Sequence, residues 1–263
     1  MNSMRIQALI RRNTIIMFRG LDTLFDYLYW PLLDLIVWGF AATSFRTIQS
    51  APATLSVGLL TALVIWQGAY RASFDIAFNL LQEFWGRNTI NLFATPMTLV
   101  EWITAALISS IVNFIPSIFF AALVTWLLYG ISIFSLGWFL CPIIFFMALA
   151  GWSISLFSAG ILMAFGQRIQ KLVWILSSVF MPFAGIFYPV HLLPTWAQYI
   201  AHALPLSYLF ESLRMYLLTT TIPWAIFSTG IILSIIYFCG AILFFILLFN
   251  YSKRIGLGRL DNQ

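Results

Sequence analysis

Charge is what this chain has least of. Asp, Glu, Lys and Arg together make up 8% of its 263 residues, where a soluble domain carries about a quarter. That shortage excludes an ordinary water-soluble fold, because so few polar groups cannot cover a surface of this size. Cysteine is almost absent. The two present, Cys141 and Cys239, fall in apolar stretches, so no disulfide framework or metal-ligand spacing is available, and each thiol acts as a small apolar group. No Gly/Ser-rich or Pro-rich linker divides the chain, so a single domain over 1–263 is expected. There is also no G-x-x-x-x-G-K-[ST] phosphate loop, and the glycines at 256 and 258 belong to a short basic tail. The polypeptide is therefore expected to be no enzyme, lacking the means to hydrolyse ATP.

Apolar residues dominate instead, at 62% of the chain, and a bilayer is the solvent that tolerates such a composition. At about 20 residues per span, about five to seven helices fit. Six apolar stretches, near 25–45, 55–80, 99–129, 135–165, 170–188 and 225–250, predict an all-α membrane protein with six transmembrane helices. The third and fourth exceed about 20 residues and are expected to tilt or bend, with Pro116 and Pro142 as the bend points.

Residues 1–22 interleave Arg5, Arg11, Arg12 and Arg19 with Ile6, Leu9, Ile10, Ile15, Ile16 and Phe18. A signal peptide keeps its apolar core uninterrupted, so the pattern predicts an amphipathic interfacial helix; a merely basic topogenic tail is the alternative. With the N-terminus inside, the cytoplasmic segments hold Arg5, Arg11, Arg12, Arg19, Arg87, Arg168, Lys171, Lys253, Arg254 and Arg259, against Arg46 and Arg214 outside. That asymmetry predicts a multi-pass protein of the bacterial inner (cell) membrane with both termini cytoplasmic. It also accounts for the net charge of +5 without a nucleic-acid partner.

Two connections are unlike ordinary loops. Residues 82–98, QEFWGRNTINLFATPMT, mix Glu83, Arg87 and Asn88 with Phe84, Trp85, Ile90, Leu92 and Phe93, and end at Pro96. This composition suits a short helix with one greasy and one polar face, either a lever for a cytoplasmic partner or a passive interfacial anchor. Residues 188–224 are too apolar for a solvated loop and too broken by Pro189, Pro194, Pro205 and Pro223 for one span. Short re-entrant helices dipping into the outer leaflet satisfy both facts. Pro194 sits where a first-turn proline is favoured, opening a helix of about ten residues, and the whole segment reads as a lid.

From Phe187 to Arg214 the chain runs F-Y-P, L-P-x-W, A-x-x-x-P-L-S-Y and E-S-L-R, which resembles the C-terminal signature of type-two ABC exporter permeases. Thr89, Leu92, Thr95-Pro96 and Glu101 are similar to that family's coupling-helix region before its third span. Asn88 precedes Thr89 where the family pattern has glycine; asparagine accommodates a positive φ better than most residues, so the turn is expected there. The resemblance implies the transmembrane half of an ATP-driven exporter, moving an amphipathic substrate (drug, lipid or glycolipid/polysaccharide) outward. It implies a cytoplasmic ABC ATPase subunit that holds ATP and Mg, with no cofactor on this chain. It further implies a second permease, as a homodimer or a paired subunit, amid membrane lipid. Glu83, Arg87, Thr89, Leu92, Phe93 and Pro96 would form the ATPase coupling site. Tyr188, Pro189, Pro194, Trp196, Pro205, Tyr208, Glu211 and Arg214 would form the outer lid.

Asp34, Arg71 and Asp75 are the ionisable residues expected inside spans, where each is expensive unless paired. Asp34 and Arg71 lie at a similar depth of about 13 Å, so an Asp34–Arg71 pair is geometrically allowed, with Asp75 one helical turn from Arg71 as a second partner. The cluster reads as a structural tie between spans one and two, or as a gate or proton relay. His191 and His202 lack a third ligand or a nucleophile beside them. Ser153 and Ser155 in GWSIS resemble an intramembrane nucleophile only superficially, and Ala148–Gly151 and Ser158–Gly160 read as close helix-packing sites. An ion-gradient-driven secondary transporter or channel is the alternative function, but it would place charged or unwound sites in both halves.

Overall fold

A chain this poor in charge must satisfy its backbone internally, and helices do so within each segment. The computed structural model describes residues 2–49 and 53–256; the tail, with Gly258 and Arg259, lies outside the described residues. Among the described residues there are ten α-helices and no strand. They are α1 (Ser3–Arg19), α2 (Leu21–Gln49), α3 (Ala53–Trp85), α4 (Thr89–Ala94), α5 (Leu99–Tyr129), α6 (Leu140–Phe165), α7 (Lys171–Val179), α8 (Thr195–Ala203), α9 (Pro205–Thr219) and α10 (Trp224–Ile255).

Three helical stretches are long and apolar enough to cross a membrane: Leu99–Tyr129, Ile133–Ile169 and Trp224–Ile255. They match the third, fourth and sixth stretches expected from sequence. Helices α2 and α3, with 29 and 33 residues, have the length but carry Asp34, Gln67, Arg71 and Asp75. The fifth stretch differs from expectation. Helix α7 has 9 residues and gives way to a 3₁₀ turn at Met181–Phe183, so it is only about 14 Å long, half of a hydrocarbon core of about 30 Å. Pro182 lacks an N–H to continue the helix, and Gly185 then turns the chain at a φ of 73°.

Proline placement also departs from the pattern expected. Pro142 occupies the first turn of α6, where its missing N–H has no intrahelical role, so it bends nothing. The break before α6 falls at Gly137, with φ 57° and ψ −136°. Pro116 lies inside α5, which continues as one helix to Tyr129.

Helix α3 is the hub, packing against α2, α5, α6, α7 and α9. Small residues let α6 approach it closely: a Cβ on Gly151 would lie 2.6 Å from the Ala69 carbonyl oxygen and 2.8 Å from Ala72 Cβ. Gly160 plays the same part toward α10, where a Cβ would meet Phe245 Cα at 3.3 Å. The packing role expected for both small-residue runs is therefore what the helices use. Two serines reinforce one turn of α3: Ala77 N–H donates to Ser155 Oγ (3.0 Å), and the Ser73 carbonyl accepts from Ser177 Oγ (3.0 Å).

Helix α5 opens with a capping box, Thr98 Oγ1 accepting from Glu101 N–H and Glu101 Oε2 accepting from Thr98 N–H. Glu101 also accepts from the Asn2 N–H at 2.6 Å and lies 3.7 Å from Arg5, so one carboxylate caps α5 and holds the start of α1. Glu101→Ala is expected to open the capping box and to release the N-terminal helix. Limited proteolysis at residues 2–20 should accelerate, with the rest of the bundle still resistant.

Candidate functional site

The segment after α3 is shaped by how that helix ends. Arg87 N–H donates to the Phe84 carbonyl (3.0 Å) and Asn88 N–H to the Glu83 carbonyl (2.9 Å), the bond pair of a Schellman ending. That geometry puts the left-handed residue at Arg87, with φ 48°. The expectation of a positive φ at Asn88 is thus corrected: Asn88 has φ −109°. Its side chain is instead free to donate to Glu83 Oε2 at 2.8 Å.

Glu83 is the anchor of this end of the molecule. It is buried, and Arg12 of α1 engages both its oxygens, Nη2 to Oε2 at 2.9 Å and Nη1 to Oε1. Arg5 Nη1 donates to the Pro96 carbonyl, and Asn13 Nδ2 donates to Ser109 Oγ at 3.3 Å. Ile6 and Leu9 of α1 are buried between these polar ties. Helix α1 therefore grips the 82–98 segment at both edges.

Helix α4 turns its greasy side inward. Leu92 is buried, and Phe93 packs against Phe249 of α10 (4.9 Å, edge-on) and Trp102 of α5 (6.3 Å). Trp102 in turn stacks on Phe245 at 5.2 Å. Thr89 opens α4 buried, its Oγ1 without a hydrogen-bond partner among the described residues. Arg87 and Pro96 stay exposed. The α6–α7 connection joins the same end: Gln167 Nε2 donates to the Phe84 carbonyl (2.6 Å), and Trp85 Nε1 donates to Gln170 Oε1 (2.9 Å).

Within the bundle, Asp34 accepts from Gln67 Nε2 at 3.1 Å, so α2 is tied to α3 through the residue one turn before Arg71. Asp75 accepts from Ser110 Oγ (3.3 Å), and Ser110 accepts from Trp152 Nε1 (3.0 Å), a chain linking α3, α5 and α6. Arg71 is buried on the same helix. Ser153 donates to the Leu149 carbonyl of its own helix and Ser155 Oγ accepts from the Ala77 N–H, so both hydroxyls of that motif are engaged with backbone. No group of three His, Cys, Asp or Glu is placed to hold a metal among the described residues; His191 and His202 are exposed.

At the opposite end, residues 188–224 form two short helices, α8 and α9. Pro194 precedes α8 and Pro205 is the first residue of α9. Pro189 leads into the 3₁₀ turn at Val190–Leu192, and Tyr188 Oη donates to the Pro182 carbonyl at 2.8 Å. Exposed Trp196 meets Phe183 edge-on at 6.0 Å, and Tyr208 lies 6.1 Å from the His202 ring. Arg214 is the clasp, donating to Glu211 Oε2 (2.7 Å) and to the Gly185 carbonyl (2.6 Å). Phe187 packs on Trp38 of α2 at 4.0 Å. Arg214→Lys is expected to lose the two-pronged contact and to lower stability by about 2 kcal/mol, read as a fall in the thermal unfolding midpoint in detergent.

Sequence reasoning missed two components. Arg5 and Arg12 entered as topological charge and as the polar side of the N-terminal helix, not as ion-pair partners, although Glu83 and Glu101, the acids near the two edges of the 82–98 segment, were the available signal. It also missed an aromatic column along α3. Trp66, Tyr70, Phe74 and Phe78 recur every fourth residue, and Trp174 of α7 lies 5.6 Å from Phe74 and 6.5 Å from Trp85.

Among known protein families, the model described as ABC-2 type transporter matches residues 4–218. No curated protein matches the chain.

Proposed function

The chain belongs to the ABC-2 type transporter family and is a permease component of an ABC transporter, and from that premise we propose that it is the membrane half of an ATP-driven exporter. In this reading six segments cross the bacterial inner membrane with both termini cytoplasmic, α7 and the turns after it forming the fifth. The ATPase is a separate subunit, which binds ATP and Mg. The observation that carries the reading is the 82–98 segment, held by α1 at its edges and packed onto α5 and α10 through Phe93. A push on Arg87, Thr89, Leu92, Phe93 or Pro96 would move α3, α5 and α10 together, as a coupling element requires.

A second permease pairs through the exposed apolar faces of α2 and α7, where Phe25, Trp30, Phe40 and Ile175 are uncovered. The half-buried Tyr70 and Phe78 of the α3 column, with exposed Trp174 beside them, offer ring faces to an amphipathic substrate such as a drug, lipid or glycolipid. The α8–α9 lid, dipping into the outer leaflet and clasped by Arg214, closes the outer end. Asp34 and Asp75 serve as structural ties, since each already holds a neutral partner on a neighbouring helix.

The test is purification of the tagged chain from its own membranes followed by reconstitution. A co-purifying ATPase carrying a phosphate loop, with substrate-stimulated hydrolysis, is the expected result. Transport by the chain alone, insensitive to ATP depletion, would instead support the gradient-driven reading.

A further inference from the structure

The ionic ties of α1 leave the coupling end with an unbalanced surface. Of the carboxylates at that end whose side chains are described, Glu83 and Glu101 are both buried and already engaged by Arg12 and Arg5. Arg87, Arg168 and Lys171 are exposed. The bonds from Gln167 to the Phe84 carbonyl and from Trp85 to Gln170 bring the α6–α7 connection against the α3–α4 turn, so these three cations share one surface with Trp85, itself 47% exposed.

Topological bias explains why cations lie on this side, but not where Arg87 stands. It occupies the left-handed position of a Schellman ending, which favours glycine and costs another residue about 1–2 kcal/mol. Strain at such a position points to a use for the side chain. Position along the axis also argues against a headgroup role. The 33 residues of α3 make a helix about 50 Å long, longer than the about 40–45 Å of a bilayer with its headgroups, so its far end can stand clear of the lipid.

We propose that Arg87, Arg168 and Lys171 form a cationic docking surface, built from two connections, for an acidic rim on the ATPase subunit. This rests on the exporter-permease reading and adds the chemistry of its partner. Burial of Glu83 and Glu101 against Arg12 and Arg5 removes the acids that would otherwise quench the surface, and the exposed Trp85 supplies an apolar contact at its centre.

The experiment uses the full chain in nanodiscs of neutral phosphatidylcholine and the ATPase that co-purifies with it. Binding is measured at low and high salt, for the wild type, for R87E/R168E/K171E, and for R87G. The expected results are binding that weakens with salt, a loss of about tenfold or more in the triple variant, and weaker binding by R87G although that variant unfolds at a higher temperature. Undiminished binding by the triple variant, insensitive to salt, would overturn the cationic surface while leaving the permease reading intact. So would an ATPase affinity that depends on added phosphatidylglycerol and not on these residues, which would assign them to lipid headgroups. Failure of any ATPase to bind the wild-type chain would overturn both.

Discussion

Replacing Gly151 by valine is expected to destabilise the bundle by about 4 kcal/mol or more, at the far end of the range for single substitutions. The reason is where the new atoms would go. A Cβ at this position would sit 2.6 Å from the Ala69 carbonyl oxygen and 3.0 Å from the Ser73 backbone nitrogen. Both are main-chain atoms of α3, so no rotamer change relieves the overlap and the two helices must separate. Separation would also stretch the bond from Ala77 to Ser155 and the chain from Trp152 through Ser110 to Asp75. Gly240 is the control, because a Cβ there meets nothing within 4 Å. Gly240→Ala should change stability by no more than about 0.5 kcal/mol. Thermal unfolding in detergent checks both: a Gly151→Val protein as stable as Gly240→Ala would mean the α3–α6 crossing is looser than described.

Under the exporter reading proposed above, Glu83→Ala is expected to reduce ATP-dependent export by more than about tenfold while the protein remains in the membrane. A fully buried ion pair that loses one partner costs about 3–5 kcal/mol. Arg12 is 39% exposed and can turn toward water, so a cost nearer 2 kcal/mol is expected. The functional loss exceeds the structural one because the same carboxylate also receives Asn88 Nδ2. Without it, α1 and the turn that opens α4 come loose together, and motion of α4 no longer reaches α3. Arg12→Ala should reproduce most of the defect, and the double variant should be little worse than Glu83→Ala alone, since the two side chains act as a unit. Export assays on the four proteins decide it; defects that simply add would mean that Glu83 and Arg12 contribute separately.

Much of this was readable in the sequence, for identifiable reasons. Spans three, four and six stood out because their apolar runs are uninterrupted by charge, and α5 falls on residues 99–129 as expected. In the fifth stretch only the continuity of the helix differs, because apolarity persists through 170–188 while Pro182 and Gly185 end the helix; composition reports solvent preference, not continuity. Ala148–Gly151 read as a packing site, but a single sequence does not say which helix it meets, so the roles of Ser155 and Trp152 emerged only with α3 and α5 beside them. The short helix within 82–98 was legible, since its mixed polarity is local. Its fastenings were not, because Arg12 and Glu83 lie 71 residues apart and a positive residue near a membrane already has an explanation in topology. Arg87 taking the left-handed position was equally hidden. The hydrogen bonds ending α3 decide it, and asparagine next door was the better local candidate.

Under the exporter reading the exposed side of α4 receives an ATPase subunit. Ala94 lies on that side, exposed and outside the Leu92–Phe93 contacts, so a photo-crosslinking amino acid there reports what covers it. Irradiation in native membranes, followed by identification of the adduct, is predicted to yield one soluble protein with a phosphate-binding loop, with a yield that changes when ATP is added. Adducts with lipid alone, from a chain that still exports its substrate, would contradict the account.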